Sequence, residues 1–152
     1  MRQRHISVEG FVLRVYRYKE TSKLLRVFTK EQGKMMLTAK GARRTRSKLG
    51  GMLDLFKLNR FQLYVGNGFP IVQEAELIRS FYSISQDSEK FMRVSEFIQF
   101  FDKSTADQNP DENQFHLLYQ YLNFAESHSL NEIDNARFIQ QFHAVEGVRT
   151  YS

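Results

Sequence analysis

The sequence predicts an α+β chain: a five-stranded β-barrel of the OB type over residues 1–80, followed by a small all-helical domain over residues 81–152. Three observations carry this. Apolar residues in the first half recur with the period of two that strands impose, and in the second half at the three- and four-residue steps of helices. Gly-containing turns punctuate the first half. Charge changes sign at the same boundary. Residues 1–80 hold 17 Lys and Arg against 6 Asp and Glu, and residues 81–152 hold 5 against 11. A basic half joined to an acidic half calls for two surfaces with different partners.

The strands follow in order. "EGFVLRVYRY" alternates, with Phe11, Leu13 and Val15 assigned to one face and Val12, Arg14, Tyr16 and Tyr18 to the other. "KLLRVFTK" is the second strand, and "KEQGK" turns the chain with Gly33 at a position that calls for positive φ. "KMMLTAK" is the third, sending Met35, Leu37 and Ala39 one way and Lys34, Met36, Thr38 and Lys40 the other. "LFKLNRFQLYV" and "IVQEAELI" are the fourth and fifth, separated by "GNGFP". Five strands in so short a span fit a closed OB barrel, which removes exposed edges; an SH3-like barrel is the second choice.

Past a break near Arg79–Ser88 the spacing becomes helical. Phe91, Val94, Phe97, Ile98 and Phe101 form one stripe, and Phe115, Leu118, Tyr119 and Leu122 the next. "NPDE" reads as a helix start, with Asn109 capping, Pro110 in the first turn and Glu112 completing a capping box. Ser129 with Glu132 reads as a second box. Phe138, Phe142 and Val145 mark a last helix that Gly147 can end.

Composition excludes several classes of chemistry. There is no cysteine, hence no disulfide, thiolate metal site or Cys nucleophile. His5, His116, His128 and His143 show no metal spacing, and "GNG" lacks the lysine of a phosphate loop. Glu74 and Glu76 share a strand face, and a metal-dependent nuclease would rest on them alone; a solvent face is the simpler reading. No catalytic constellation, cofactor or metal is expected, so the chain reads as a binding protein rather than an enzyme. No signal peptide or membrane span is legible, which points to the cytoplasm.

The stretch "TAKGARRTRSK" carries Lys40, Arg43, Arg44, Arg46 and Lys48 with no acid among them. Alone it could be a solvated loop, but it lies between the third and fourth strands of a basic barrel, where it can neutralise the phosphates of a nucleic acid. OB barrels bind oligonucleotides across strands two and three, which adds Lys23, Arg26 and Lys34 to the expected site. Tyr16, Tyr18 and Phe69 are candidates for stacking on bases, with core packing as the alternative for each.

These residues bring a resemblance. "EGFVLRVYRYKETSKLLRVFTKEQGK", "AKGARRTRSKLGGMLDLF" and "EAELIRSF" match, in order and spacing, the pattern of the RecO family of bacterial recombination mediators. Glu20-Thr21, Phe28-Thr29 with Gly33-Lys34, and Ala39 to Arg44 fill the family's characteristic places. The resemblance covers roughly residues 8–82 strongly and the helical part more weakly. It implies an OB-fold followed by a helical domain, and binding of single- and double-stranded DNA. It also implies annealing of complementary strands and help in loading RecA onto DNA coated by single-strand-binding protein (SSB). The partners it implies are RecR and the acidic C-terminal tail of SSB, at the nucleoid. The alternative is an adaptor that docks RecR and SSB with little DNA contact of its own. Family members are usually longer, with a cysteine-containing zinc module after the first helices. This chain stops at "VEGVRTYS" without a cysteine, so it reads as a truncated or minimal member or a fragment, and the SSB-tail site and any zinc are in question.

Overall fold

The computed structural model describes residues 4–43 and 53–151. Five strands come first: β1 (Arg4–Tyr18), β2 (Ser22–Thr29), β3 (Gly33–Ala39), β4 (Leu58–Val65) and β5 (Ile71–Arg79). Four helices follow: α1 (Tyr82–Gln86), α2 (Ser88–Ser104), α3 (Glu112–Ser127) and α4 (Glu132–Tyr151). The strands close into a barrel in the order β1-β2-β3-β5-β4. Every pairing is antiparallel except β3 with β5, which meet in parallel at Thr38 and Ile71. The α+β class and the OB-type barrel expected from the sequence are what is found.

Closure depends on β1. Its first half, Arg4–Phe11, pairs with β4, and its second half, Gly10–Tyr18, pairs with β2. β1 begins five residues before the alternation that announced it, because the segment from Arg4 to Val8 is the part that pairs with β4. A bulge between Val12 and Arg14 separates the halves. One extra residue in a strand reverses which parity faces inward. Before the bulge Ile6, Val8 and Val12 point into the barrel; after it Val15 does. The single-parity reading of this strand therefore fails at Val12, which lies inside and not beside Arg14. Phe11 and Leu13 are buried outside that interior cluster.

The interior is filled by Val8, Val12, Leu25, Val27, Leu37, Ala39, Phe61, Leu63 and Val72. Ala42 and Leu53 join them from the β3–β4 connection, so both ends of that connection are rooted in the core. At Gly10 β1 lies close against β2: a Cβ there would lie 2.5 Å from Val27 Cγ1. Gly33 does adopt positive φ, at +73°, and a Cβ would lie 2.5 Å from the Asn109 amide nitrogen. The residue is glycine for two independent reasons, turn conformation and close backbone approach.

Two compact units result: residues 1–80 with Ala106–Pro110, and residues 81–105 with 111–152. The α2–α3 connection thus belongs to the barrel unit. The Gln108 amide donates to the Lys34 carbonyl at 2.9 Å, and Asp107 bridges to Lys34 in parallel.

The helical unit is an aromatic cluster. Phe97 stacks on Tyr121 at 3.8 Å between ring centroids, and Phe138 meets the same ring edge-on at 5.1 Å. Phe142 packs edge-on against Phe100 and Phe101. Tyr121 donates its hydroxyl proton to Asn135 Oδ1 at 2.7 Å, and Asn135 Nδ2 donates to the Arg93 carbonyl at 2.9 Å. One buried polar chain therefore joins α3, α4 and α2. Burial pushes the Tyr121 pKa well above its ordinary value of 10.0; the Asn135 hydrogen bond opposes this, and Glu96 and Asp134 add to it.

The caps differ from those expected. Asp111, not Asn109, caps α3, accepting from the Gln114 amide at 3.0 Å, because Asn109 and Pro110 are held against the β2–β3 turn. Asn131 and Asp134, not Ser129 and Glu132, form the reciprocal box at α4, at 2.9 and 3.1 Å. Gly147 does not end α4, which runs to Tyr151.

Two outcomes follow. Gly33→Ala should cost more than about 1 kcal/mol in urea unfolding, since it adds both φ strain and a backbone clash; a neutral substitution would refute the packing at Asn109. Because the folded chain holds Tyr121 neutral, its contribution is complete below pH 10 and is lost as pH rises beyond that value. Spectrophotometric titration should show one of the seven tyrosines ionising only on alkaline unfolding, and Tyr121→Phe should remove that component.

Candidate nucleic-acid interface

The outer face of β1, β2 and β3 follows from register. Residues directly opposite one another across a ladder share a face. Arg14 is opposite Arg26, which is opposite Met36. Tyr16 is opposite Leu24, which is opposite Thr38, and Tyr18 is opposite Ser22. The bulge at Leu13 makes this row possible, since it turns Val15 inward and Arg14, Tyr16 and Tyr18 outward.

Two of the stacking candidates lie on this face beside cations. The Arg14 guanidinium sits 5.4 Å from the Tyr16 ring centroid, and Lys19 Nζ sits 5.2 Å from that of Tyr18. Tyr16 is 37% exposed and Phe69 is 49% exposed, so neither ring is consumed by the core. An exposed cation–π contact is worth about 0.5–1 kcal/mol, and a base stacked on an aromatic ring about 1–3 kcal/mol. A base could therefore displace the cation from a tyrosine face and leave it for a phosphate. Phe69 is carried by the β4–β5 turn, which the Thr38 amide secures by donating to the Pro70 carbonyl at 2.8 Å. That turn adjoins the end of β3 from which Lys40 leaves, exposed.

The expected cations do not form one set. Lys34 is on the outer face but only 2% of its side chain is exposed, and its ammonium lies 3.9 Å from Asp107. It cannot serve a ligand as placed. Arg26 is on the same face, 24% exposed, with its guanidinium 3.3 Å from Asp107. Asp107 thus brings a carboxylate from the α2–α3 connection to the Met36 end of the basic face. Lys23 has the other parity, opposite Ala39, and pairs with Asp54 at 4.0 Å. The three do not continue one strip.

In the basic stretch, Ala42 is part of the barrel core. Gly41 does take positive φ, at +69°. Arg43 is turned back onto the β1–β2 turn, where it donates to the carbonyls of Lys19, Glu20 and Ser22. Arg44, Arg46 and Lys48 lie outside the described residues.

Arg14 was missed as a site residue, although its i, i+2, i+4 spacing with Tyr16 and Tyr18 in "RVYRY" signals one face. Glu74 and Glu76 are exposed on β5, and Glu76 is opposite Arg60 on β4. Among the described residues no three His, Cys, Asp or Glu side chains group as metal ligands, and no helix is long and apolar enough to cross a membrane.

The family model described as "Recombination protein O N terminal" matches residues 1–81. The DNA repair protein RecO of Listeria welshimeri is 34% identical over 114 residues, which cover 75% of this chain and 45% of the relative. The protein of the same name from Bacillus cytotoxicus is 32% identical over 117 residues, covering 77% and 47%. The chain spans about half the length of the curated relatives it matches. With the barrel matched from its first strand to its last, the chain belongs to the recombination protein O, or RecO, family.

Proposed function

We propose that this chain is a DNA-binding part of the recombination and repair machinery, without catalytic activity of its own. It binds single- and double-stranded DNA, promotes annealing of complementary strands, and acts with RecR to load RecA on SSB-coated DNA in the bacterial cytoplasm, at the nucleoid. The observation that carries the DNA reading is the outer face of β1–β2–β3, where Arg14, Tyr16 and Tyr18 line up in register beside the root of the basic connection. Family membership and the names of the relatives support the repair role.

In this reading phosphates are held by Arg14, Lys40, Arg44, Arg46 and Lys48, with Arg26 a further cation on the same face. Bases stack on Tyr16, Tyr18 and Phe69. Annealing then needs no reacting group. A basic surface lowers the repulsion between two polyanionic strands and raises their encounter rate.

If about five phosphates are neutralised, the logarithm of single-strand affinity should fall with log salt at a slope near −3.5. Converting Arg44, Arg46 and Lys48 together to Ala should flatten the slope by about 2, at roughly 0.7 per contact. An unchanged slope moves the site off this segment. A chain that retains RecR in a pull-down yet shifts no oligonucleotide would replace the DNA reading with that of an adaptor.

Asp107→Asn should act in the opposite direction. It removes the carboxylate that faces both Arg26 and Lys34; if the exposed Arg26 pair, worth at most about 1 kcal/mol, competes with phosphate, single-strand affinity should rise by up to about fivefold at low salt. A loss of affinity would show that Asp107 supports the face and does not compete for it.

A further inference from the structure

We propose that Arg43 is a positioning residue for the DNA site and not one of its phosphate contacts; this rests on the DNA reading above. Its Nε donates to the Ser22 carbonyl at 3.1 Å, and Nη2 donates to the Lys19 carbonyl at 2.7 Å and to that of Glu20. Its own amide donates to the Thr21 carbonyl at 2.9 Å. The Gly41 amide donates to Ser22 Oγ at 3.3 Å. The carbonyls of all four residues from Lys19 to Ser22 are thus held from residue 43.

This turn is one that needs holding. Lys19 has φ of 55°, in the left-handed region, which a residue with a Cβ occupies only when its surroundings impose it. The clamp joins what the site needs together. Tyr18 and Lys19 lie on one side of it, and Lys40 and the start of the basic segment on the other. A guanidinium suits the task because it presents several N–H donors in a planar fork; an ammonium carries the same charge without that geometry. Arg43 therefore acts through the placement of Lys19 and Lys40. Of the two described cations of the basic stretch, Arg43 is committed to backbone and Lys40 is exposed, so only Lys40 belongs to the phosphate-binding set.

The test compares Arg43→Lys, Arg43→Ala and Lys40→Ala in the full chain, using a fluorescent oligothymidylate over a series of salt concentrations. If Arg43 positions, Arg43→Lys loses about as much affinity as Arg43→Ala, near tenfold, despite keeping its charge. Its effect also shrinks when Lys40 is already Ala, since the two then act as one unit. Without DNA, amide exchange at Gly41 and Arg43 should quicken in both variants, while the β4 amides stay protected as the control for folding. Wild-type-like affinity and exchange in Arg43→Lys, with a slope loss of about 0.7 in Arg43→Ala, would make Arg43 a phosphate contact and overturn the proposal. Absence of salt-dependent binding by the unsubstituted chain would overturn the DNA reading itself, a result separable from any behaviour of the variants.

Discussion

The extra residue at Leu13 in β1 governs much of the barrel. A small barrel must close, and here one 15-residue strand closes it by pairing first with β4 and then with β2. Those pairings need opposite parities to face the core. Without the bulge, either Val8 and Val12 or Val15 would point out of the barrel. With it, the first half of β1 fills the interior and the second half presents Arg14, Tyr16 and Tyr18 on the outside. The same local irregularity therefore completes the core and creates the face on which the DNA reading rests.

The basic connection is best understood from its two ends. Ala42 and Leu53 are core residues, so the chain leaves the barrel and re-enters it at anchored points. Arg43 extends the first anchor to the β1–β2 turn. Charge density alone does not show where a guanidinium goes: Arg43 has its donors on the carbonyls of residues 19, 20 and 22.

The α2–α3 connection makes a similar point with the opposite sign of charge. Asp107 brings a carboxylate to Arg26 and Lys34, two cations that strand alternation alone would leave exposed. Gly33 permits this by lacking a Cβ where the chain at Asn109 and Pro110 passes. Having Asn109 and Pro110 in the barrel unit also explains why α3 starts on Asp111, two residues after the cap that the sequence suggested. In the helical unit the Phe stripes are core, and the Tyr121–Asn135–Arg93 chain adds direction to packing that aromatic rings alone would leave permissive.

Local periodicity determined a great deal by itself. The five strands, the three longer helices α2, α3 and α4, the interior residues of β3, the positive φ at Gly33 and the reversal of charge near residue 80 all depend on neighbours within a few positions, and a single sequence records those; the short helix α1 fell in what read as a break. The triplet Arg14, Tyr16 and Tyr18 was legible for the same reason. Tertiary structure decided what depends on residues far apart in the chain. The inward turn of Val12 follows the parity that the β4-paired half of β1 sets, and the burial of Lys34 brings in a segment more than 70 positions away. The commitment of the Arg43 guanidinium is set by carbonyls 21 to 24 positions earlier. A side chain's charge is written in its own letter, but whether that charge is free to meet a ligand depends on which distant backbone or carboxylate the fold brings beside it.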